Sequence, residues 1–265
     1  MNRQQVICAS LIDQTTTSFV LFHQHLGCFH SDWHQHEWGQ LIYAEQGCIH
    51  LNGQGKMILI PSGYGVWIPA DTYHEIWSDS PQLHMRSICF PAVYTSEPLV
   101  NQISVFPVTL LLREMIRHTE KWSQEQQDNS LANTFLQAIQ DLLPGEIERA
   151  VPVYLPSTTC NRLLPILDYI HGHLSEQINF QWLAGEFNFS VRTLNRLFTQ
   201  KLGISFSSYC KKARIIKALE LIELGRENVS QLALDVGYES LATFSNNFLE
   251  ICGHRPFHFI RWKRN

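Results

Sequence analysis

His34, His36, Gln40 and a distant His74 bring together three imidazoles and one amide, a donor set that suits a divalent metal ion. On an unbroken strand side chains alternate, so positions 34, 36 and 40 fall on one face, and His74 arrives from a facing strand. The same residues also read as pocket-lining or satisfied core histidines, because a histidine cluster without visible supporting partners does not by itself define a metal site. A second grouping lies far downstream. Arg192, Asn195, Arg196 and Thr199 recur at helical spacing and offer donors that match guanine, adenine or phosphate.

Those donors need a helix to present them, and the local sequence supplies one. Ser190 has an N-capping side chain, and Leu194, Leu197 and Phe198 form an apolar stripe opposite the polar face. The pattern then repeats: Leu183-Ala184, Asn188-Phe189, Ser190, Leu194, Phe198 and Gly203 are matched by Leu232-Ala233, Gly237-Tyr238, Ser240, Phe244, Phe248 and Gly253. The offset is 49 residues before the turn and 50 after it, so the second copy carries one inserted residue. Its outward positions are Ala242, Thr243, Ser245 and Asn246, a less basic set. Each copy has the form of a helix-turn-helix. Between them Tyr209, Ala213, Ile216, Leu219 and Ile222 mark a long amphipathic helix, bounded by Ser205 to Ser208 and by Gly225. A helix of roughly 18 to 20 residues is ~30 Å long, close to the ~34 Å turn of B-DNA, so two recognition helices on such a rod fit successive major grooves.

Charge is partitioned to match. Residues 178–265 hold twelve Lys and Arg against seven Asp and Glu, a net of +5, while the remainder carries −9. A basic third on a chain of net −4 fits one part that meets phosphates and one that does not. The modest excess predicts modest, salt-sensitive DNA affinity per monomer.

The elements from Leu183-Ala184 to Pro256 resemble the DNA-binding region of the AraC/XylS transcriptional regulators, covering most of 161–263. The resemblance implies double-stranded DNA as partner, with groove-facing residues at Ser190, Arg192, Thr193, Asn195 and Arg196 in the first unit. In the second they fall on Leu241, Ala242, Thr243, Ser245 and Asn246. Asn246 departs from the family, which often has Arg there, so the second unit is expected to contribute less affinity or read a different base.

From about residue 18 to 94, short runs of Val, Ile, Phe, Tyr and Trp are punctuated by Gly and Pro, the pattern of a β-sandwich or barrel. Asn52-Gly53 is its clearest tight-turn signal. The segment Trp33 to Gly47 with Pro61 to His74 resembles the two motifs of the cupin barrel, as found in sensory cupins joined to AraC-type regulators. Gln40 stands where metal-binding cupins often have Glu, which lowers the charge available to a cation. A small barrel encloses one small molecule, and Trp33, Trp38, Tyr43, Trp67, Tyr73, His84 and Arg86 are the candidates to line it.

Leu110 to His118 and Leu131 to Leu143 show helical periodicity, with Leu111, Leu112, Met115, Ile116 and Leu131, Phe135, Ile139, Leu142 as apolar stripes that serve a homodimer interface or cap the barrel. Pro144-Gly145 through Thr159 is rich in breakers and reads as a linker. The expected architecture is α+β: a cupin-like β-barrel with a helical pair over 1–143, a linker over 144–160, and an all-α domain of two helix-turn-helix units joined by a long helix over 161–265. No apolar run reaches the ~18 residues that span a bilayer. Val6 to Ile12 lacks a cleavage site, so a cytoplasmic location is expected. Seven scattered cysteines without a Cys-x-x-Cys pair argue against disulfides and zinc fingers. The whole reads as a regulator responding to a small-molecule effector and contacting RNA polymerase. A metal-dependent cupin enzyme and an effector-free architectural DNA binder are the rivals.

Overall fold

A computed structural model describes residues 19–91, 101–122, 130–151 and 153–263. The run Val6 to Ile12 lies outside the described residues. The chain divides into two compact units, Met1–Gln54 with Leu59–Pro152, and Gly55–Ile58 with Val153–Asn265.

The β-rich sequence pairs into two antiparallel five-stranded sheets. One runs β1 (Val20–His25), β8 (His84–Phe90), β3 (Gly39–Gln46), β6 (Tyr64–Ile68), β9 (Ser104–Pro107). The other runs β10 (Tyr154–Pro156), β5 (Lys56–Ile60), β4 (Ile49–Gly53), β7 (His74–Ser78), β2 (Phe29–His30). Register decides which side chains share a face. Gln40 pairs with Ile68 and Cys89, and Ile42 with Val66 and Ser87, on one face. Leu41 pairs with Trp67 and Ile88, and Tyr43 with Gly65 and Arg86, on the other.

That second face packs against two helices, α1 (Leu110–His118) and α2 (Ser130–Ile147). Leu112, Ile116, Leu136, Ile139, Leu143 and Ile147 meet Leu41, Tyr43, Trp67, Ile88, Phe90 and Phe106 in one buried cluster. Burying such faces is the main favourable contribution to folding. Leu112, Ile116 and Ile139, expected from the sequence to serve either a dimer interface or a cap on the barrel, cover the sheet within the chain, whereas Leu110, Leu111 and Leu131 stay exposed. Two further expectations shift. The β4–β5 hairpin turns at Gln54-Gly55, with φ of 50° and 69°, rather than at Asn52-Gly53. And α2 continues through Pro144 and Gly145 to Ile147, while Tyr154–Pro156 forms a strand, so 144–160 is only partly a linker.

The second unit is helical beyond β10: α3 (Leu164–Gly172), α4 (Phe180–Glu186), α5 (Val191–Leu197), α6 (Phe206–Glu223), α7 (Val229–Asp235), α8 (Leu241–Cys252) and α9 (Pro256–Lys263). The duplication extends to single hydrogen bonds. In α4–α5 the turn is closed by Phe189 N–H to the Ala184 carbonyl at 2.8 Å, and in α7–α8 by Tyr238 N–H to the Ala233 carbonyl at 2.8 Å. The residues that reverse the chain, Asn188 and Gly237, both have positive φ, 57° and 81°. Ser190 and Ser240 cap α5 and α8, each accepting from the N–H three residues on. Each recognition segment ends in a left-handed glycine, Gly203 or Gly253. One asymmetry appears: α5 passes into a π-turn at Phe198–Leu202, whereas α8 is regular for 12 residues. Helix α6, 18 residues and about 27 Å long, is buried on several sides through Tyr209, Ala213, Ile215, Ile216, Ala218, Leu219 and Ile222.

Candidate functional site

The two recognition helices present their expected faces to solvent. Arg192, Asn195 and Arg196 are exposed on α5, with Leu194 fully buried beneath them. Ser190 and Thr193 are engaged locally, since the Ser190 hydroxyl accepts from Thr193 N–H at 3.2 Å and lies 2.8 Å from its Oγ1. On α8, Leu241, Ala242, Thr243 and Asn246 are exposed and Ser245 is half-buried, above an aromatic core of Phe244, Phe248 and Phe259. Sequence reasoning passed over Arg255, whose Nη1 donates to Ser245 Oγ at 2.7 Å and lies 3.5 Å from Asn246 Oδ1.

In the first unit the histidines do converge, but not along a strand. Residues 31–38 are irregular apart from a bridge between His34 and His74, and β3 begins only at Gly39. Ligand atoms of His34, His36 and His74 all lie within 4.8 Å of one another. Each ring is held the same way: Nδ1 meets the carbonyl of Asp32 at 2.8 Å, of Trp38 at 2.7 Å and of Thr72 at 2.7 Å, respectively. A carbonyl only accepts, so each neutral ring carries its proton on Nδ1 and keeps a lone pair on Nε2. Nε2 of His34 and of His74 is buried with no hydrogen-bond partner. In the amide orientation present, His36 Nε2 faces Gln40 Oε1 at 3.2 Å and Gln40 Nε2 donates to Ser87 Oγ at 2.8 Å. Burial drops His74 to about 3 and lowers His36 as well, leaving both neutral at pH 7. Three imidazole rings oriented by backbone carbonyls, with an amide oxygen beside them, fit a divalent ion.

The aromatic candidates separate into two places. Trp33 and Tyr73 stack on each other with centroids 5.0 Å apart, next in sequence to His34 and His74, and are 41% and 57% exposed, so they sit at the rim. Trp38 is half-buried and supplies the carbonyl that holds His36. Tyr43, Trp67, His84 and Arg86, by contrast, do not face the Gln40 side of the sheet. Tyr43 and Trp67 belong to the core under α1 and α2, because an odd offset from Gln40 along the register reverses the face.

His84 and Arg86 join a charged network centred on Glu45. Arg86 Nε and Arg117 Nε donate to its two oxygens, His84 Nδ1 lies 3.1 Å away, and Arg86 Nη1 reaches Glu120 at 2.9 Å. Burial raises the Glu45 carboxyl, but hydrogen bonds and charge from Arg86 and Arg117 outweigh it and hold it below the usual range. Beside this network His23 donates through Nε2 to Thr119 Oγ1 at 2.8 Å, and that hydroxyl donates to the Ile116 carbonyl at 2.7 Å. Burial, then the Arg86 charge, lowers His23 from 6.5 to about 4. The unfolded chain therefore binds the proton first on acidification, so this contribution is complete above pH ~6.5 and is lost as pH falls toward 4. Urea unfolding of His23→Gln is expected to depend less on pH than wild type across that window; identical slopes would exclude a buried neutral His23.

A duplicated DNA-reading fold, carried with a separate β-rich unit, marks a transcriptional regulator with a ligand-binding domain. Residues 17–153, just over half of the chain, match the AraC-like ligand binding domain, and 183–261 match a helix-turn-helix domain. The chain belongs to the AraC family of transcriptional regulators. NimR, an HTH-type transcriptional regulator of Escherichia coli K12, is 27% identical over 233 residues, 86% of this chain and 81% of that protein. RhaS, an HTH-type transcriptional activator of Shigella boydii, is 22% identical over 247 residues, 85% of this chain and 84% of that protein. The solved structure of ToxT from Vibrio cholerae aligns over 93% of this chain and 99% of that one, at 12% identity and a TM-score of 0.39. The relatives are regulators, and the cupin-enzyme reading has no support among them. Among the described residues no helix is long and apolar enough to cross a membrane.

Proposed function

We propose that a small molecule bound in the first unit modulates promoter binding, and that a divalent ion held by His34, His36 and His74, with Gln40 as a further donor, forms part of that effector site. The observation that supports the ion is the pair of buried, partnerless Nε2 atoms on His34 and His74, in a cluster where ligand atoms of these two residues and His36 lie within 4.8 Å of one another. Bound there, the ion would offer a Lewis-acidic anchor to an oxygen or nitrogen donor of the effector. The effector changes DNA occupancy only if it binds one arrangement of the protein more tightly than another.

On the DNA side the reading assigns base and phosphate contacts to Ser190, Arg192, Thr193, Asn195 and Arg196, and to Leu241, Ala242, Thr243, Ser245 and Asn246. It adds a contact with RNA polymerase, action in the cytoplasm, and a homodimer formed through the exposed Leu110, Leu111 and Leu131.

Protein purified without chelator or affinity metal is expected to carry about one divalent ion per chain, and His74→Ala to carry none. A metal content near zero in the wild type sinks the ion. For the DNA face, Arg196→Ala should cost about 1–3 kcal/mol on a selected operator and relax preference at one base pair. An equal loss on every sequence would reassign Arg196 to a phosphate.

A further inference from the structure

The two recognition segments differ sharply in charge. Ser190 to Gly203 contains Arg192, Arg196 and Lys201, whereas Ser240 to Gly253 contains no Lys or Arg and one acid, Glu250. Yet the second segment is not without a cation in space. Just past the left-handed Gly253, the chain folds so that Arg255 lays its guanidinium against the outward face of α8. Nη1 donates to Ser245 Oγ at 2.7 Å and lies 3.5 Å from Asn246 Oδ1. Both residues belong to the face that a recognition helix turns to the groove.

Among the described residues Arg255 has no carboxylate partner and its side chain makes no hydrogen bond beyond these two, which leaves Nε and Nη2 without an acceptor there. A guanidinium fixed at one nitrogen by two neutral side chains loses less freedom when it meets an acceptor than a free one. Ser245 and Asn246, besides facing the groove in the reading above, then also act as holders of this guanidinium, where helix α5 uses its own Arg196 directly.

We propose that Arg255 is the cationic DNA contact of the second helix-turn-helix, donating to an acceptor on the DNA at the second half-site. The arginine that this helix lacks in sequence is thus delivered from the segment that follows it. Base edge and backbone phosphate present the same acceptor chemistry to it.

The test uses the full chain and a duplex enriched by it from a randomised library. Arg255→Ala is expected to weaken binding about tenfold or more and to lower the salt slope by about one, with thermal melting unchanged. Ser245→Ala should produce a smaller loss, by freeing the guanidinium without removing its charge. If Arg255→Lys restores affinity equally on all duplexes, the acceptor is a phosphate; if it fails and one base pair loses its preference, the acceptor is a base edge. Should Arg255→Ala melt early, Arg255→Gln, which keeps a donor for Ser245, replaces it. Affinity, salt slope and base preference all unchanged in a folded variant would overturn the proposal.

Discussion

Gly237→Ala is expected to destabilise the second unit by about 2–5 kcal/mol and to abolish two-site DNA binding. The residue has φ of 81°, and a Cβ there would lie 2.4 Å from the Leu174 carbonyl oxygen and 3.1 Å from Ser175. Those atoms cannot step aside cheaply. Arg214 Nε donates to the same Leu174 carbonyl at 3.0 Å, and its Nη2 donates to the Glu176 carbonyl at 2.6 Å. The substitution therefore loads a left-handed strain and a backbone clash onto one point where α6, the α3–α4 connection and the second turn meet. Thermal unfolding followed together with operator titration checks this; a variant that melts and binds like wild type would show that the turn relaxes.

Glu45→Ala is the counterpart in the first unit, with an expected loss of about 3–5 kcal/mol. Arg86 is only 5% exposed and would keep Glu120 as its sole carboxylate partner among the described residues. Arg117 on α1 would lose its anchor to the strand as well. The comparison with Glu45→Gln separates charge from shape, because the amide keeps an acceptor and the volume. Chemical denaturation of the full chain should show an early transition for Glu45→Ala. A midpoint within the error of wild type would mean that the network adds nothing to folding.

The helix-turn-helix pair was legible because its determinants are local. A capping serine, an i, i+3, i+4 stripe and a closing glycine lie within 14 residues, from Ser190 to Gly203, and recur from Ser240 to Gly253. The sidedness of the sheet is equally present in the sequence, and it differs from the pocket expected from aromatic content alone. Gln40 and Tyr43 are an odd number of residues apart on one strand and so face opposite ways, which already removes Tyr43 from any site containing Gln40. The hairpin turn slipped by two residues because Asn-Gly-Gln-Gly contains two candidate turns, and only the strand register selects Gln54-Gly55. Glu45 with Arg86 and Arg117 could not be read at all, since charges 41 and 72 residues apart are brought together only by tertiary structure. Arg255 escaped for a related reason: it lies outside the helix whose face it completes.

The serine-to-glycine segments also bear on how such a protein can change. Each has its own capping serine and closing glycine, is of equal length, and buries its own apolar residues, Leu194 and Phe198 in one and Phe244 and Phe248 in the other. With the DNA contacts proposed above, substitutions on one outward surface can accumulate while its twin still holds the DNA, so new promoters become reachable through stepwise drift, without a stage at which recognition is lost altogether.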